Sequence, residues 1–420
     1  MDRGGGVMTT STPVTCRSCG APGLTSFLDL GVTPLADALV REEVLGEPEE
    51  RFPLEVAFCE ACTLVQILEE VPAEKLFVDN YLYFSSFSDH LLDHSRRHAE
   101  WLIAERDLGS ESLVVELASH HGYHLRNLVD QGIPGLGIDP STHQAAAAIA
   151  AGVPTLMEVL GEDKARRRRA EGKAAAVIIA NNVLAHVPDL NGFVAGRAEL
   201  LADDGLITVE NPYVRELIDH CEFDTIYHEH FCYYACTSID RLMRRHGMWL
   251  NHVEFFPDLH GGTLRWHIGK HENRSPEAKQ YLEQEAEIGL DSIGYYEQFA
   301  DRVAVVQEDL RALLGELRSG GASIAGYGAA AKGSTLLNST GIGTDLVEFV
   351  VDRNVHKQGT YMPGTNQPVL GPEALVERQP DYVLLLAWNF ADEIIAQQNE
   401  YLARGGKFIV PVPVPEVVGA

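Results

Sequence analysis

The sequence predicts an α/β chain in three parts: a small N-terminal metal-binding module, a central Rossmann-like domain and a second Rossmann-like α/β domain at the C-terminus. Two observations carry this prediction. Cysteines occur as two Cys-x-x-Cys pairs, Cys16/Cys19 and Cys59/Cys62. Beyond them, short apolar runs alternate with Ala- and Leu-rich helical stretches, in two blocks separated by a long charged, periodic segment. At 420 residues the chain is too long for one core, and it divides at 1–80, 81–274 and 275–420.

Two thiolates on one tight turn hold half of a tetrahedral metal site, so two such turns complete it. The gap between the pairs is longer than in a minimal zinc finger and implies strands in between, of which 52–58 (FPLEVAF) alternates as one. No thioredoxin-like βαβ accompanies the pairs, which disfavours redox chemistry. Zinc is therefore expected at Cys16, Cys19, Cys59 and Cys62, an iron–sulfur cluster being the lesser alternative. Cys221, Cys232 and Cys236 are scattered, as buried apolar residues are.

A helix is expected from Ser88 to Arg106. The central sheet then follows as 114–117 (VVEL), 135–139 (GLGID), 175–180 (AAVIIA) and 206–210 (LITVE), with 249–256 and 263–268 closing it. From Ser275 to Arg318 a long helix or helix pair is expected, opened by a Ser cap and a Pro in the first turn. The second α/β unit runs from Ala322, where SIAGYGAAAKGSTLLN, VEFVVD, YVLLLAWNF and KFIVPVP each read as a strand or a strand with its following turn.

With 61 acidic residues against 33 basic, the net charge of −28 opposes general binding to nucleic acid or anionic membrane. No run approaches the roughly 20 apolar residues of a membrane span. The first fifteen residues lack the apolar core of a signal peptide, so a cytoplasmic protein with reduced thiols is expected.

The first α/β unit opens with Glu116 at a strand end, a loop of Ser119, His120, His121 and Gly122, and then a helix. Asp139 ends the next strand, placed to accept ribose hydroxyls. The missing G-x-G-x-x-G disfavours NAD, and a cofactor without a pyrophosphate, S-adenosylmethionine (SAM), suits the loop better. Asn181, Asn182 and Val183 follow the third strand, with His186 beyond them. The densest ionisable cluster, Tyr227-His228-Glu229-His230-Phe231, lies just past a strand end, where α/β sheets bind ligands. Tyr, His and Glu together shift one another's proton affinities and suit acid–base work. Metal binding by His228 and His230 is the alternative, without the spacing of helical zinc enzymes, and a solvated polar loop is the plain one.

In the second unit, Gly326 through Asn338 places glycines at a strand end and Lys332 near a helix N-terminus. Asp352, Arg353, His356 and Lys357 follow the next strand. This basic group in an acidic chain suits an anion, a surface helix start being the plainer reading. Asn389, between Trp388 and Phe390, is a further candidate at a strand end.

Together, the Cys-x-x-Cys pairs, Asn80-Tyr81-Leu82-Tyr83-Phe84-Ser85-Ser86, Asn181-Asn182-Val183-Leu184-Ala185-His186, Tyr227–Phe231 and the Gly326–Asn338 segment resemble the sugar-nucleotide C-methyltransferase family over nearly the whole chain. The resemblance is nearest to its branch acting at C3′ of TDP-sugars in the tetronitrose pathway. It implies a zinc module, a central class I SAM-methyltransferase domain and a C-terminal sugar-nucleotide domain. It also implies methyl transfer to C3 of a TDP-linked 4-keto-deoxysugar in antibiotic biosynthesis, through an enolate. His230 would be the base, with Tyr227 second. Glu229 would orient His230 or bind the sugar, and His186 and Tyr81 would hold the C4 oxygen. Glu116, Ser119, Gly122, Asp139 and Asn181–Val183 would hold SAM, whereas Tyr83, Ser85, Lys332, Asn338, Asp352, Arg353, His356, Lys357 and Asn389 would hold the sugar nucleotide. A monomer is expected. The chain departs from the family where Ser-Asn-Asp-Gly-Tyr-Leu becomes Ser119-His120-His121-Gly122-Tyr123-His124. His adopts left-handed turn geometry less readily than Asn or Asp, so a cost to SAM binding is expected. A nicotinamide-dependent sugar-nucleotide oxidoreductase or epimerase, and a non-catalytic zinc-bearing scaffold, are the competing readings.

Overall fold

The computed structural model describes residues 14–76 and 89–419. Tyr81, Tyr83 and Ser85 lie outside the described residues.

The N-terminal module is an antiparallel sheet of Thr25–Pro34, Arg51–Phe58 and Val65–Ile67, as the alternation at 52–58 predicts. Its fourth strand is borrowed: Cys232–Tyr233, from the central part of the chain, pairs with Val65–Ile67 in the register Cys232↔Gln66 and Tyr233↔Val65.

The central sheet has seven strands, ordered Trp249–Phe256, Thr263–Gly269, Leu201–Pro212, Ala175–Asn181, Val114–Leu117, Gly135–Ile138 and Thr155–Leu156. The last five are mutually parallel, and the hairpin 249–269 closes the sheet antiparallel. Val114–Leu117 is buried along its whole length, the pattern of a strand covered on both faces.

The segment 275–318 is a helix pair, Pro276–Glu287 and Phe299–Ser319. Ser275 Oγ caps the first by accepting the Ala278 amide at 3.2 Å, with Pro276 in the first turn. The second buries Phe299, Val303, Val306, Leu310 and Leu314, a helical stripe packed inward. Its Phe299, with Tyr296 just before it, meets Phe27 of the N-terminal module, at ring distances of 6.3 and 5.1 Å.

The C-terminal sheet runs Val369–Leu370, Val350–Val351, Ile324–Tyr327, Tyr382–Leu385, Lys407–Val410 and Glu416–Val418. It is tied to the N-terminal module, because Thr360–Tyr361 pairs with Val40–Arg41 and the Gly364 amide donates to Glu49 at 2.9 Å. One continuous hydrophobic core runs from Cys16 to Val412 through all three parts. Among the described residues no helix is long and apolar enough to cross a membrane.

Candidate active site

The four cysteines converge as their spacing requires. Cys16 Sγ lies 3.4 Å from Cys62 Sγ and Cys19 Sγ 3.6 Å from Cys59 Sγ, and all four sulfurs lie within 4.8 Å of one another. A zinc ion at about 2.3 Å from each thiolate separates sulfurs by about 3.8 Å, so the set fits. The two turns are alike: the amides of Gly20 and Thr63 donate back to Cys16 O and Cys59 O, and both residues have positive φ (74° and 62°). Burial pushes the Cys59 thiol up to about 11, and the neighbouring Cys16 sulfur, with burial second, pushes Cys62 higher still. A bound dication reverses that preference and holds the thiolates. Cys221, Cys232 and Cys236 are free and buried.

The loop after strand Val114–Leu117 is strained. Ala118, His120 and Gly122 have φ of 48°, 48° and 78°. His120 therefore occupies the left-handed region that the family's Asn accepts at less cost. Its amide donates to Asp139 Oδ2 at 2.9 Å, and Asp139 Oδ1 accepts the Ser141 amide at 2.8 Å. Glu116 accepts the Leu125 amide at 3.2 Å and lies 3.3 Å from His124 Nδ1. Gly122 cannot carry a side chain, since a Cβ there would stand 2.9 Å from Val153 Cγ2. Ser119 Oγ and Asn181 Oδ1 are buried without a hydrogen-bond partner, Asn182 turns left-handed at φ 52°, and Val183 follows it. Orphaned acceptors beside an acidic strand end fit a polar adenosyl cofactor. Two carboxylates keep lone pairs beyond those their backbone partners use.

The Tyr227–Phe231 segment folds against three walls. Thr335 Oγ1, from the helix Ala331–Thr340, donates to Ile226 O at 3.0 Å. Phe231 N donates to Ala185 O at 2.8 Å, and Ile67 N to Phe231 O at 3.0 Å. Tyr227 and His230 stay half-buried, while His228 and Glu229 are buried. Tyr227 Oη lies 3.0 Å from His230 Nε2, and His230 Nδ1 lies 3.0 Å from Thr225 O. The His186 ring stands 4.7 Å from that of His230. Burial and the neighbouring His186 and Lys332 hold His230 well below the usual histidine range, and burial lowers His186 to about 4. Both rings are neutral at pH 7.

Several sequence expectations change here. His228 and His230 do not form a metal pair: His228 Nε2 lies 3.0 Å from Pro53 O and its ring packs on Phe52, away from His230. Glu229 does not orient His230, both of whose nitrogens are engaged elsewhere. Instead Glu229 Oε1 accepts the Asp37 amide at 3.5 Å, and burial beside Asp37 pushes its carboxyl up to about 8. The basic group after strand Val350–Val351 does not converge on one anion. Lys357 is buried and donates to Ala329 O at 2.7 Å, and Arg353 reaches Gln397 at 3.1 Å and Glu393 at 3.5 Å. Asp352 accepts the amides of Ala329 and Asn354, both at 2.8 Å. The His356 amide donates to Asn354 Oδ1 at 3.0 Å. Asn338 donates to Ser334 O and Pro363 O, both at 2.9 Å, which is a structural role. Asn389 sits in a single 3-10 turn, Trp388–Phe390.

Sequence reasoning missed Glu222, Asp224 and His260. Trp388 Nε1 donates to Asp224 Oδ2 at 2.6 Å, and burial pushes Asp224 up to about 6 and Glu222 up to about 8. His260 is lowered to about 4 by burial and by Lys332. Asp224 is three residues from Tyr227, so adjacency was a usable signal. His260 carried none beyond the Gly261-Gly262 pair after it.

The four-cysteine cluster and the Rossmann-like sheet place the chain in a class, SAM-dependent methyltransferases with a zinc-binding module. Three families match: "Putative zinc binding domain" over 16–77, "Methyltransferase domain" over 92–252 and "C-methyltransferase C-terminal domain" over 258–413. The chain is 36% identical to C-methyltransferase NovU of Streptomyces niveus over 413 residues, covering 96% of this chain and 97% of that protein. It belongs to this C-methyltransferase family. Among solved structures, magnesium protoporphyrin IX methyltransferase ChlM of Synechocystis PCC 6803 with bound SAM is 14% identical, covering 48% of this chain and all of that one, at a TM-score of 0.36. A SAM-dependent methyltransferase of Archaeoglobus fulgidus is also 14% identical, covering 40% and 72%, at 0.32. Neither likeness is close enough to add to what the families give.

Proposed function

We propose that the chain methylates C3 of a TDP-linked 4-keto-deoxysugar, with 1–80 as zinc module, 81–274 as SAM domain and 275–420 as the part that holds the sugar nucleotide. The observation that carries this reading is the Tyr227–His230 contact. A carbonyl oxygen only accepts, so His230 Nδ1 carries the ring proton toward Thr225 O, and Nε2 is bare. Tyr227 then donates its hydroxyl proton to Nε2. Such a pair takes a proton from a carbon beside a ketone either directly onto Nε2 or through the phenol, with His230 as the final acceptor.

SAM, when bound, supplies an electrophilic methyl group. The chain's own residues do the rest. Glu116, Ser119, Asp139, Asn181 and the backbone at Gly122, Asn182 and Val183 bind the cofactor. His186, with Tyr81, holds the ketone oxygen, and Glu229 with Asp37 faces the sugar ring. The name of the relative NovU, a C-methyltransferase, agrees with carbon as the acceptor. An NAD-dependent oxidoreductase is disfavoured by a loop built from His120-His121 without a glycine fingerprint.

Mass spectrometry after incubation with SAM and TDP-4-keto-6-deoxysugars bearing either a 3-amino or a 3-hydroxyl group tests the reading. A gain of one methylene unit on one of the two is expected. No gain on either would contradict it.

A further inference from the structure

Spacing alone placed Lys332 with the phosphate-binding groups, but the fold turns it elsewhere. The helix Ala331–Thr340 docks through Thr335 onto Ile226, and through Ser334 Oγ onto Ala36 O at 2.7 Å. One turn before Thr335, Lys332 Nζ stands 4.4 Å from the centre of the Trp388 indole. That indole is fixed in turn by the 2.6 Å bond from its Nε1 to Asp224. Burial lowers the Lys332 ammonium below the usual lysine range, and Asp224 and Glu222, hydrogen-bonded to it in neither case, oppose that through space. The Thr335–Ile226 bond and the Trp388–Asp224 bond hold Lys332 between two points within three residues of Tyr227, and its charge is felt at His230 and His260. Arg353 and Lys357 stay with the C-terminal sheet. The basic set seen in the sequence is therefore split, and its one member beside the acid–base pair is Lys332.

We propose that Lys332 is a catalytic residue that contacts the substrate's ketone oxygen and holds the negative charge of the enolate, rather than a ligand of the diphosphate. This rests on the reading of the site as a carbon methyltransferase acting beside a ketone. The C–H bond breaks, its proton goes to the Tyr227–His230 pair, and its electrons form the C=C bond while the carbonyl π pair moves onto oxygen. The Lys332 ammonium faces that oxygen. When the carbon bonds to the methyl group, the carbonyl re-forms, the sulfonium leaves as a neutral thioether, Lys332 is unchanged, and His230 loses its proton to solvent. An indole face holds an ammonium without neutralising it, as a direct ion pair would, so the charge stays available to a ligand.

The test compares full-length wild type, Lys332→Met and Lys332→Arg in three measurements. These are TDP binding by calorimetry, deuterium exchange at C3 of the TDP-4-keto-sugar in D2O with S-adenosylhomocysteine present, and kcat for methyl transfer. Wild type exchanges and transfers. Lys332→Met keeps TDP affinity within about threefold while exchange and kcat fall by about 10²-fold or more. Lys332→Arg regains part of both, and the alkaline fall in its rate moves to higher pH. If Lys332→Met instead weakens TDP binding by about tenfold and leaves kcat at saturation intact, Lys332 is a diphosphate ligand and the proposal is overturned. Should Lys332→Met not fold, an unmoved alkaline limb in Lys332→Arg overturns it equally. A wild type that neither exchanges nor transfers sinks the methyltransferase reading itself, and this shows before any substitution is made.

Discussion

The Tyr227 hydroxyl lies 3.0 Å from His230 Nε2, on the ring edge opposite the 3.0 Å contact between Nδ1 and Thr225 O. The backbone carbonyl thus selects the tautomer, and the tautomer makes the distal nitrogen a base. Under the proposed mechanism, phenol and imidazole act as one unit. His230→Asn and Tyr227→Phe are each expected to lower kcat by about 10²–10⁴-fold while leaving SAM binding intact by calorimetry. The double variant is expected to be no worse than the poorer single one. Losses that multiply would show two independent roles.

The left-handed His120 makes a second prediction. Asn accepts φ near 48° more readily, and the Asp139 contact uses only the backbone amide, which every residue but proline keeps. His120→Asn is expected to stabilise the protein by about 1 kcal/mol in urea melts and to tighten SAM binding. Unchanged stability with weaker SAM binding would mean that the imidazole itself serves the cofactor.

The four-cysteine module and the Tyr227–His230 pair are linked through one strand. Cys232–Tyr233 begins two residues after His230 and is the outer strand of the zinc module's sheet. One zinc per chain is expected by metal analysis. Stripping it is expected to abolish methyl transfer while much of the SAM affinity survives, because Glu116 and Asp139 stand on the other sheet. Full turnover in metal-free protein would break the link.

Glu229 sets a pH dependence. Its folded value of about 8 is raised above the ordinary 4.5, so its contribution to stability is fully present below pH 4.5 and lost as pH rises through 8. Gln has the same shape and does not titrate. Glu229→Gln is therefore expected to gain on wild type across that window, on the order of 2–4 kcal/mol between pH 5 and 8.5. Urea melts at both pH values check this, and an equal difference at the two would place the raised carboxyl elsewhere.

What could be read from residues alone depended on the range of the contacts. The metal site was legible because each Cys-x-x-Cys turn is local and two of them exhaust the ligands. The sheet strands were legible because parallel strands buried on both faces are continuous apolar runs, as in 114–117 and 175–180. The segment Tyr227–Phe231 stood out by its density of ionisable groups, whereas the contact that pairs Tyr227 with His230 did not. The fates of Glu229, Lys357 and Asn338 were not legible, because each is decided by a partner between 25 and 192 residues away: Asp37, Ala329 and Pro363. Asp139 and Asp352 show the same limit. Each directly follows the second strand of its unit and accepts one amide from the preceding loop and one from two residues on. The position was readable in both, but the same geometry braces the loop whether or not a ligand binds there.

The most direct test of the central claim is carbon NMR of the sugar nucleotide formed from methyl-labelled SAM by wild type and by His230→Asn. The account predicts a labelled methyl on a fully substituted C3 with wild type, and none with the variant. A label on oxygen or nitrogen, or an undiminished signal from His230→Asn, would contradict it.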